Sequence, residues 1–280
     1  MKQRIVIFGI TGSIGQQAWE LIRNQKDFEL VGFSYHHNQE LANKIKEVNP
    51  STYIWCSSDN QSGNVKSYQE LLTKAQPDLV LNSMSGFAGL NVTQYCLEHG
   101  FKLALANKES MVVAGHLIDS SNIIPIDSEL SSIYALIAKN DICLQTIYLT
   151  ASGGPFYRID KKQLTSITYH DAIKHPTYQM GIKISIDSAT LINKCFEMIE
   201  AYYLFKCQEI RPLYHPSSVV HGLIVDKNNA IYSYMSTPNM KLAINLALHN
   251  FKVDQPVIAP LDLNKLTLYF ETIDSATLIN

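Results

Sequence analysis

Apolar positions arrive first in short unbroken runs, separated by longer stretches of helical period. RIVIF (Arg4 to Phe8) is a β-branched run of the kind buried on both faces in a parallel sheet. GITGSIG (Gly9 to Gly15) follows as a glycine turn, and QQAWELI after it has a helical pattern. FELVGFSY (Phe28 to Tyr35) reads as a second strand, with further strands expected at Thr52 to Cys56, Asp78 to Asn82 and Phe101 to Ala104. Helical stretches lie between them, which is the βαβ rhythm of a doubly wound parallel sheet.

The second half has a different pattern. NIIPID (Asn122 to Asp127) is strand-like and leads into SELSSIYALI, and TIYLTASGGPF is a strand running into a turn. At residues 184 to 187, Ile184 and Ile186 alternate with Ser185 and Asp187, a short strand pattern that lengthens to helical period near Ser188, the expected N-cap. From Leu213 onward, two strands around a Lys227 to Asn229 turn suggest antiparallel pairing. The expected architecture is α/β: a Rossmann-like sheet domain over residues 1–121, then a mixed α+β domain over 122–262.

With 280 residues, 46% hydrophobic content and 17% charged, the chain is long enough for two domains and a sizeable core. A formal net charge of −2 without a Lys/Arg run offers no electrostatic case for nucleic acid, so a small ligand is expected. Five cysteines without CxxC spacing argue against a disulfide framework or zinc knuckle and for reduced thiols. Met1 leads directly into a strand, and no uncharged run approaches a membrane span, so a cytoplasmic protein is expected.

Strand, glycine turn and helix is the nucleotide-binding context. Gly9, Gly12 and Gly15 permit a tight turn and close approach to a pyrophosphate, and Thr11 and Ser13 add hydroxyls; the spacing is GxxGxxG, and any βα turn uses glycine. The second strand ends in His36, His37 and Asn38 without an acid for a ribose 2′-hydroxyl, which leans toward NADPH over NADH. His36 and His37 either touch a 2′-phosphate or are solvated. SMSGFAGL (Ser83 to Leu90) passes beneath a cofactor or merely turns a corner. ANKES (Ala106 to Ser110) falls at a strand end, where open α/β sheets bind ligands; a helix start accounts for Asn107 and Glu109 but poorly for Lys108.

In extended chain Asp127 and Glu129 point to the same side, and Glu197 offers a third hard oxygen ligand, a set suited to Mg²⁺ or Mn²⁺. The alternative is an ordinary acidic helix start. Ser152, Gly153 and Gly154 form a turn able to present N–H groups and a hydroxyl to an anion, or a structural loop. About 100° per residue puts Asn193, Lys194 and Glu197 on one helix face, which with Ser188 makes either a phosphate site or a plain amphipathic surface. Glu197 repels such a ligand unless it pairs with Lys194 or carries a metal. His215 and His221 read as core residues or as supports behind the site, not as metal ligands.

GITGSIG, LANKES, IDSE, TASGGPF, HPTYQMG, KISIDSATLINKCFEMIEA and HPSSVVHG occur in the order found in the 1-deoxy-D-xylulose 5-phosphate reductoisomerase family, which the chain resembles from Lys2 to about Glu271. The resemblance implies NADPH against Thr11, Gly12, Ser13, Ile14, Asn107, Glu109 and Gly181, with Asn38 and His37 near its adenosine end. A divalent metal is implied on Asp127, Glu129 and Glu197. Lys108, Ser128, Ser152, His175, Ser188, Asn193 and Lys194 are implied to hold a small phosphorylated sugar, with Ser152, Ser188, Asn193 and Lys194 on its phosphate. A homodimer is implied as well.

Four features depart from the family pattern. Leu130 and Ser131 stand where it usually continues with histidine and a small or polar residue, and Ile182 replaces a basic one. Tyr178 takes the place of a tryptophan on a mobile flap, with Met180 after it. The family continues into a C-terminal helical domain, against which residues 263–280 read as a linker remnant, and Ile273 to Asn280 repeat Ile186 to Asn193. The alternatives are an NADPH-linked dehydrogenase of another phosphorylated substrate, which needs no metal, and a non-catalytic nucleotide-binding homologue.

Overall fold

The computed structural model describes residues 1–59, 61–139, 142–159, 167–172, 182–253 and 255–273. The chain folds as two compact units, Met1–Asp127 with Met240–Val257, and Ser128–Asn239 with Ile258–Asn280.

In the first unit, β1 (Gln3–Phe8), α1 (Ser13–Arg23), β2 (Phe28–Tyr35), α2 (Gln39–Val48), β3 (Tyr53–Cys56), α3 (Tyr68–Ala75), β4 (Leu79–Asn82), α4 (Ala88–Glu98), β5 (Leu103–Leu105), α5 (Lys108–Ala114) and β6 (Ile123–Pro125) alternate along the chain. The strands form one sheet in the order β3-β2-β1-β4-β5-β6, and every pairing is parallel. Ile5, Val6, Ile7 and Phe8 are wholly buried, as a central parallel strand covered on both faces requires. The winding direction reverses between β1 and β4, and at such a switch point the crevice beyond the strand ends is a ligand site. Phe8 and Asn82 close the two strands in register there.

β6 pairs with β5 and so carries this unit past the boundary expected at residue 121. A helix translated much later, α10 (Met240–Leu248), also returns to it. Ala243, Ile244, Leu246, Ala247 and Leu248 are buried in α10, and Lys241 bridges to Glu20 of α1 at 3.0 Å.

The second unit contains α6 (Ser128–Lys139), β7 (Leu144–Ala151), α7 (Tyr169–Ala172), α8 (Ile182–Ala189), α9 (Ile192–Phe205), β8 (Glu209–Tyr214), β9 (Val220–Asp226), β10 (Ile231–Met235) and β11 (Glu271–Thr272). Its mixed sheet has the order β10-β9-β7-β8-β11; β7 and β8 are parallel and the other pairs antiparallel. The β9–β10 hairpin turns as expected, with Asn229 at φ 64°.

Two local expectations are corrected. Residues 184–187 belong to helix α8 and not to a strand: one apolar alternation is too short to fix a period, and the following apolar residues suit a helix equally. Ser188 therefore lies within α8, and the next helix starts later, behind Leu191 in the left-handed region (φ 60°). Glu129 likewise sits in the first turn of α6 and not in extended chain.

Leu130, Ile133, Ile147, Leu149, Ala201, Cys207 and Ile224 form a core cluster of this unit. Leu130 is fully buried in it, so a leucine at this position satisfies the core. Leu130→Ala is expected to cost about 2–5 kcal/mol, read as a lower urea midpoint. Among the described residues no helix is long and apolar enough to cross a membrane.

Candidate active site

The glycine turn after β1 is built by close backbone approach. Gly9 has φ +77°, donates its N–H to Ser34 Oγ at 2.9 Å, and its carbonyl accepts from Gly12 N at 3.0 Å. A Cβ on Gly15 would collide with Gly9 O and stand 2.6 Å from Ile10 Cα, so α1 enters directly over the turn only because that position is bare. Gly12 is the N-cap of α1 and supplies no side-chain cap, which leaves the start of an eleven-residue helix to an anion. Thr11, Gly12, Ser13 and Ile14 line this turn, and none is buried.

Asn38 caps α2 through Leu41 N at 3.1 Å, and His36 and His37 are exposed with ring centroids 3.9 Å apart. His36 Nδ1 lies 3.0 Å from Ser57 Oγ.

At the end of β5, Asn107 caps α5 by accepting from Ser110 N at 3.2 Å. Its amide nitrogen donates to Met84 O at 2.8 Å, Gly86 O at 2.9 Å and Glu109 Oε2 at 3.1 Å, while Gly86 N donates to Glu109 Oε1 at 3.2 Å. Loop 83–87 is thus tied to Asn107 and Glu109. Lys108, next to a positive helix end, is held by Asp127: Nζ to Oδ2 is 2.8 Å and both side chains are mostly buried. That pairing explains the cation a plain helix start does not.

Asp127 closes the first unit and Ser128 opens the second, so one continuous piece of backbone carries Asp127 and Glu129. Asp127, Glu129 and Glu197 each offer a carboxylate oxygen, and these oxygens lie within 4.8 Å of one another. Ser128 Oγ donates to Glu129 Oε2 at 2.7 Å. On α9, Asn193 Nδ2 and Lys194 Nζ both donate to Glu197, which is 1% exposed, and Lys194 Nζ is 3.8 Å from Glu129 Oε1. Three carboxylates drawn this close repel one another unless cations intervene. Lys194 and Lys108 supply two ammonium groups, and the set of hard oxygen donors fits a divalent ion such as Mg²⁺ or Mn²⁺.

Gly153 and Gly154, at φ +88° and +62°, fold the chain after β7 so that Gly154 N donates to Ser152 Oγ at 3.2 Å. A Cβ on Gly154 would meet the backbone of Ser188 and Ala189 at 3.1–3.4 Å, so the Ser152 turn sits directly against the end of α8. Leu191 gives α9 no side-chain cap, and Asn193 lies in the first turn of that fourteen-residue helix. Ser152, Ser188, Asn193 and Lys194 thus come from a glycine turn and two consecutive helices of one unit. His175 and Gly181, with Tyr178 and Met180, lie outside the described residues.

His215 is fully buried between Tyr269 O (2.8 Å from Nδ1) and Ser217 Oγ (3.0 Å from Nε2), and His221 Nε2 is 2.8 Å from Ser236 Oγ. These are core contacts. All five cysteines are free, and burial pushes the Cys96 thiol up to about 12. Sequence reasoning passed over Asn82, Thr93 and Ser110, buried polar residues behind Asn107. Asn82 alone left a trace, as the polar end of an otherwise apolar LVLN strand.

A family model described as 1-deoxy-D-xylulose 5-phosphate reductoisomerase matches residues 5–115, and one described as the C-terminal domain of that enzyme matches residues 123–205. The 1-deoxy-D-xylulose 5-phosphate reductoisomerase of Malacoplasma penetrans (strain HF-2) is 43% identical over 279 residues, 98% of this chain and 74% of that protein. That of Mycoplasmoides gallisepticum (strain R(low / passage 15 / clone 2)) is 40% identical over 283 residues, 97% and 76% of the two chains. A crystal structure of DOX-P reductoisomerase in complex with NADPH, fosmidomycin and magnesium superposes with a TM-score of 0.88 at 30% identity, covering 99% of this chain and 77% of that one. The Zymomonas mobilis enzyme in complex with NADPH gives 0.84 at 27% identity, covering 99% and 79%. Sequence identity along nearly the whole chain and the shared fold agree: this chain belongs to the 1-deoxy-D-xylulose 5-phosphate reductoisomerase family.

Proposed function

We propose that the chain converts 1-deoxy-D-xylulose 5-phosphate to 2-C-methyl-D-erythritol 4-phosphate, with NADPH and a divalent metal. The observation that carries this reading is the cluster of Asp127, Glu129 and Glu197. An NADPH-linked dehydrogenase has no need of three mutually repelling carboxylates.

A metal held there supplies Lewis-acid polarisation of the adjacent carbonyl and hydroxyl oxygens of the ketose, and NADPH supplies the hydride. Asp127, Glu129 and Glu197 bind the ion, and Ser128 fixes the Glu129 carboxylate through its hydroxyl. Lys108 and Lys194 balance the negative charge of the cluster, and both would hold substrate oxygens. Ser152, Ser188, Asn193 and Lys194 grip the phosphate and so orient the substrate. Thr11, Gly12, Ser13 and Ile14 would receive the pyrophosphate at the start of α1, and Asn107 and Glu109 would contact the cofactor. The exposed histidines after β2, with no carboxylate at that strand end, support NADPH over NADH.

An all-oxygen donor set takes either Mg²⁺ or Mn²⁺, and both are proposed. The free cysteines suit a reducing cytoplasm, and the homodimer is carried over from the family.

The test is NADPH oxidation by the purified chain with 1-deoxy-D-xylulose 5-phosphate, before and after chelation. Turnover is expected to disappear with EDTA and return with Mn²⁺ or Mg²⁺. Turnover that survives chelation would make it a metal-independent dehydrogenase, and NADPH binding without turnover a non-catalytic homologue.

A further inference from the structure

Behind Asn107 lies a row of buried polar groups that the proposed chemistry does not use. Asn82, Thr93, Asn107 and Ser110 are all 0–1% exposed. Asn82 Nδ2 donates to Gly89 O at 2.9 Å and to Thr93 Oγ1 at 3.0 Å, and Asn82 Oδ1 accepts from Met84 N at 3.2 Å. Thr93 Oγ1 and Ser110 Oγ are 3.1 Å apart, and Ser110 Oγ is hydrogen-bonded to Asn107 Oδ1.

The direction of this row follows from the donor inventory. An amide oxygen only accepts, so the single hydroxyl hydrogen of Ser110 goes to Asn107 Oδ1. Ser110 Oγ is then the acceptor toward Thr93, whose own hydrogen points to it, while Thr93 Oγ1 accepts from Asn82. The donors therefore run one way, Asn82 to Thr93 to Ser110 to Asn107.

The orientation of the Asn107 amide that sets this direction is held from both sides, the Ser110 N–H and hydroxyl both donating to its oxygen. Its oxygen is turned to Ser110, and its nitrogen to Met84 O, Gly86 O and Glu109 Oε2. A flipped amide would set two carbonyl oxygens and a carboxylate against an oxygen, and would release both loop 83–87 and Glu109. The bare face of Gly89 adds a steric constraint, since a Cβ there would meet the Asn107 side chain at 2.5–2.8 Å.

We infer that Thr93 and Ser110 are positioning residues for the cofactor: a one-way hydroxyl relay that locks Asn107, and through it Glu109 and loop 83–87, in the state that binds NADPH. This rests on the reading of Asn107 and Glu109 as cofactor residues.

Shape and hydrogen bonding are separable at Thr93. Thr93→Val keeps the volume and loses the hydroxyl, whereas Thr93→Ser keeps the hydroxyl and loses a methyl. NADPH titration of the folded chain by ligand-induced fluorescence change is expected to show the Kd raised about tenfold in Thr93→Val and within about twofold of wild type in Thr93→Ser. Ser110→Ala, which removes the donor to Asn107, is expected to match Thr93→Val and serves if that variant does not fold. Thr93→Ser weaker than Thr93→Val assigns the position to packing and overturns the inference, as do Val and Ala variants that bind like wild type. A wild-type chain that fails to bind NADPH instead overturns the cofactor reading itself, and this inference with it.

Discussion

Asp127→Asn is expected to lower metal-dependent turnover by at least about a hundredfold while the chain keeps its fold. The substitution preserves shape and removes one of three charges from the carboxylate cluster, weakening the hold on a divalent ion. It also neutralises the group 2.8 Å from Lys108 Nζ, whose charge then lacks that balance. Steady-state kinetics across a Mn²⁺ titration, beside a urea melt, separate the effects. Wild-type turnover at ordinary metal concentration would remove Asp127 from the site. Glu197→Gln is a more severe companion, since Glu197 is buried and bonded by both Lys194 and Asn193. Removing one partner of a buried ion pair costs about 3–5 kcal/mol, so this variant should lose stability along with activity.

Gly15→Ala is expected to abolish NADPH binding and destabilise the first unit by more than about 3 kcal/mol. The added Cβ meets backbone, colliding with Gly9 O and reaching Ile10 Cα at 2.6 Å, and backbone cannot rotate aside as a side chain does. Either β1 or α1 must shift, and the turn between them opens. Gly100→Ala is the control: its φ of +72° disfavours a side chain, but nothing lies within 4 Å, so a cost near 1 kcal/mol is expected. Thermal melts with and without NADPH compare the two; equal midpoints would show that the β1–α1 approach is not tight.

The parallel sheet was legible because each of its strands is apolar and each is followed by a turn and a helical stretch. The tripeptide Asp127-Ser128-Glu129 offered two readings, an acidic helix start and a set of carboxylate ligands; Glu129 lies in the first turn of α6, and its carboxylate also lies in the cluster with Asp127 and Glu197. At residues 184–187 one alternation of isoleucine with polar residues carried too little periodicity to separate strand from helix. Leu130 departs from the family's usual histidine, yet a helix that puts Glu129 on one side turns its neighbour into the core. The return of α10 to the first unit has no sequence marker, because an apolar helix records that it is buried and not against what. The relay through Thr93 and Ser110 was invisible for the same reason, since its links join β4, α4 and α5 only in the folded sheet.

The split composition of the first unit sets an order of events during synthesis. All six strands of its sheet have been made once Asp127 leaves the ribosome, but the helix that buries five apolar residues against this unit does not exist until Ser128–Asn239 has also been translated. At roughly 5–20 residues per second that delay is on the order of ten seconds. Throughout it the nascent nucleotide-binding sheet has an uncovered apolar flank beside α1, so chaperone protection is needed most by a domain whose strands are already complete.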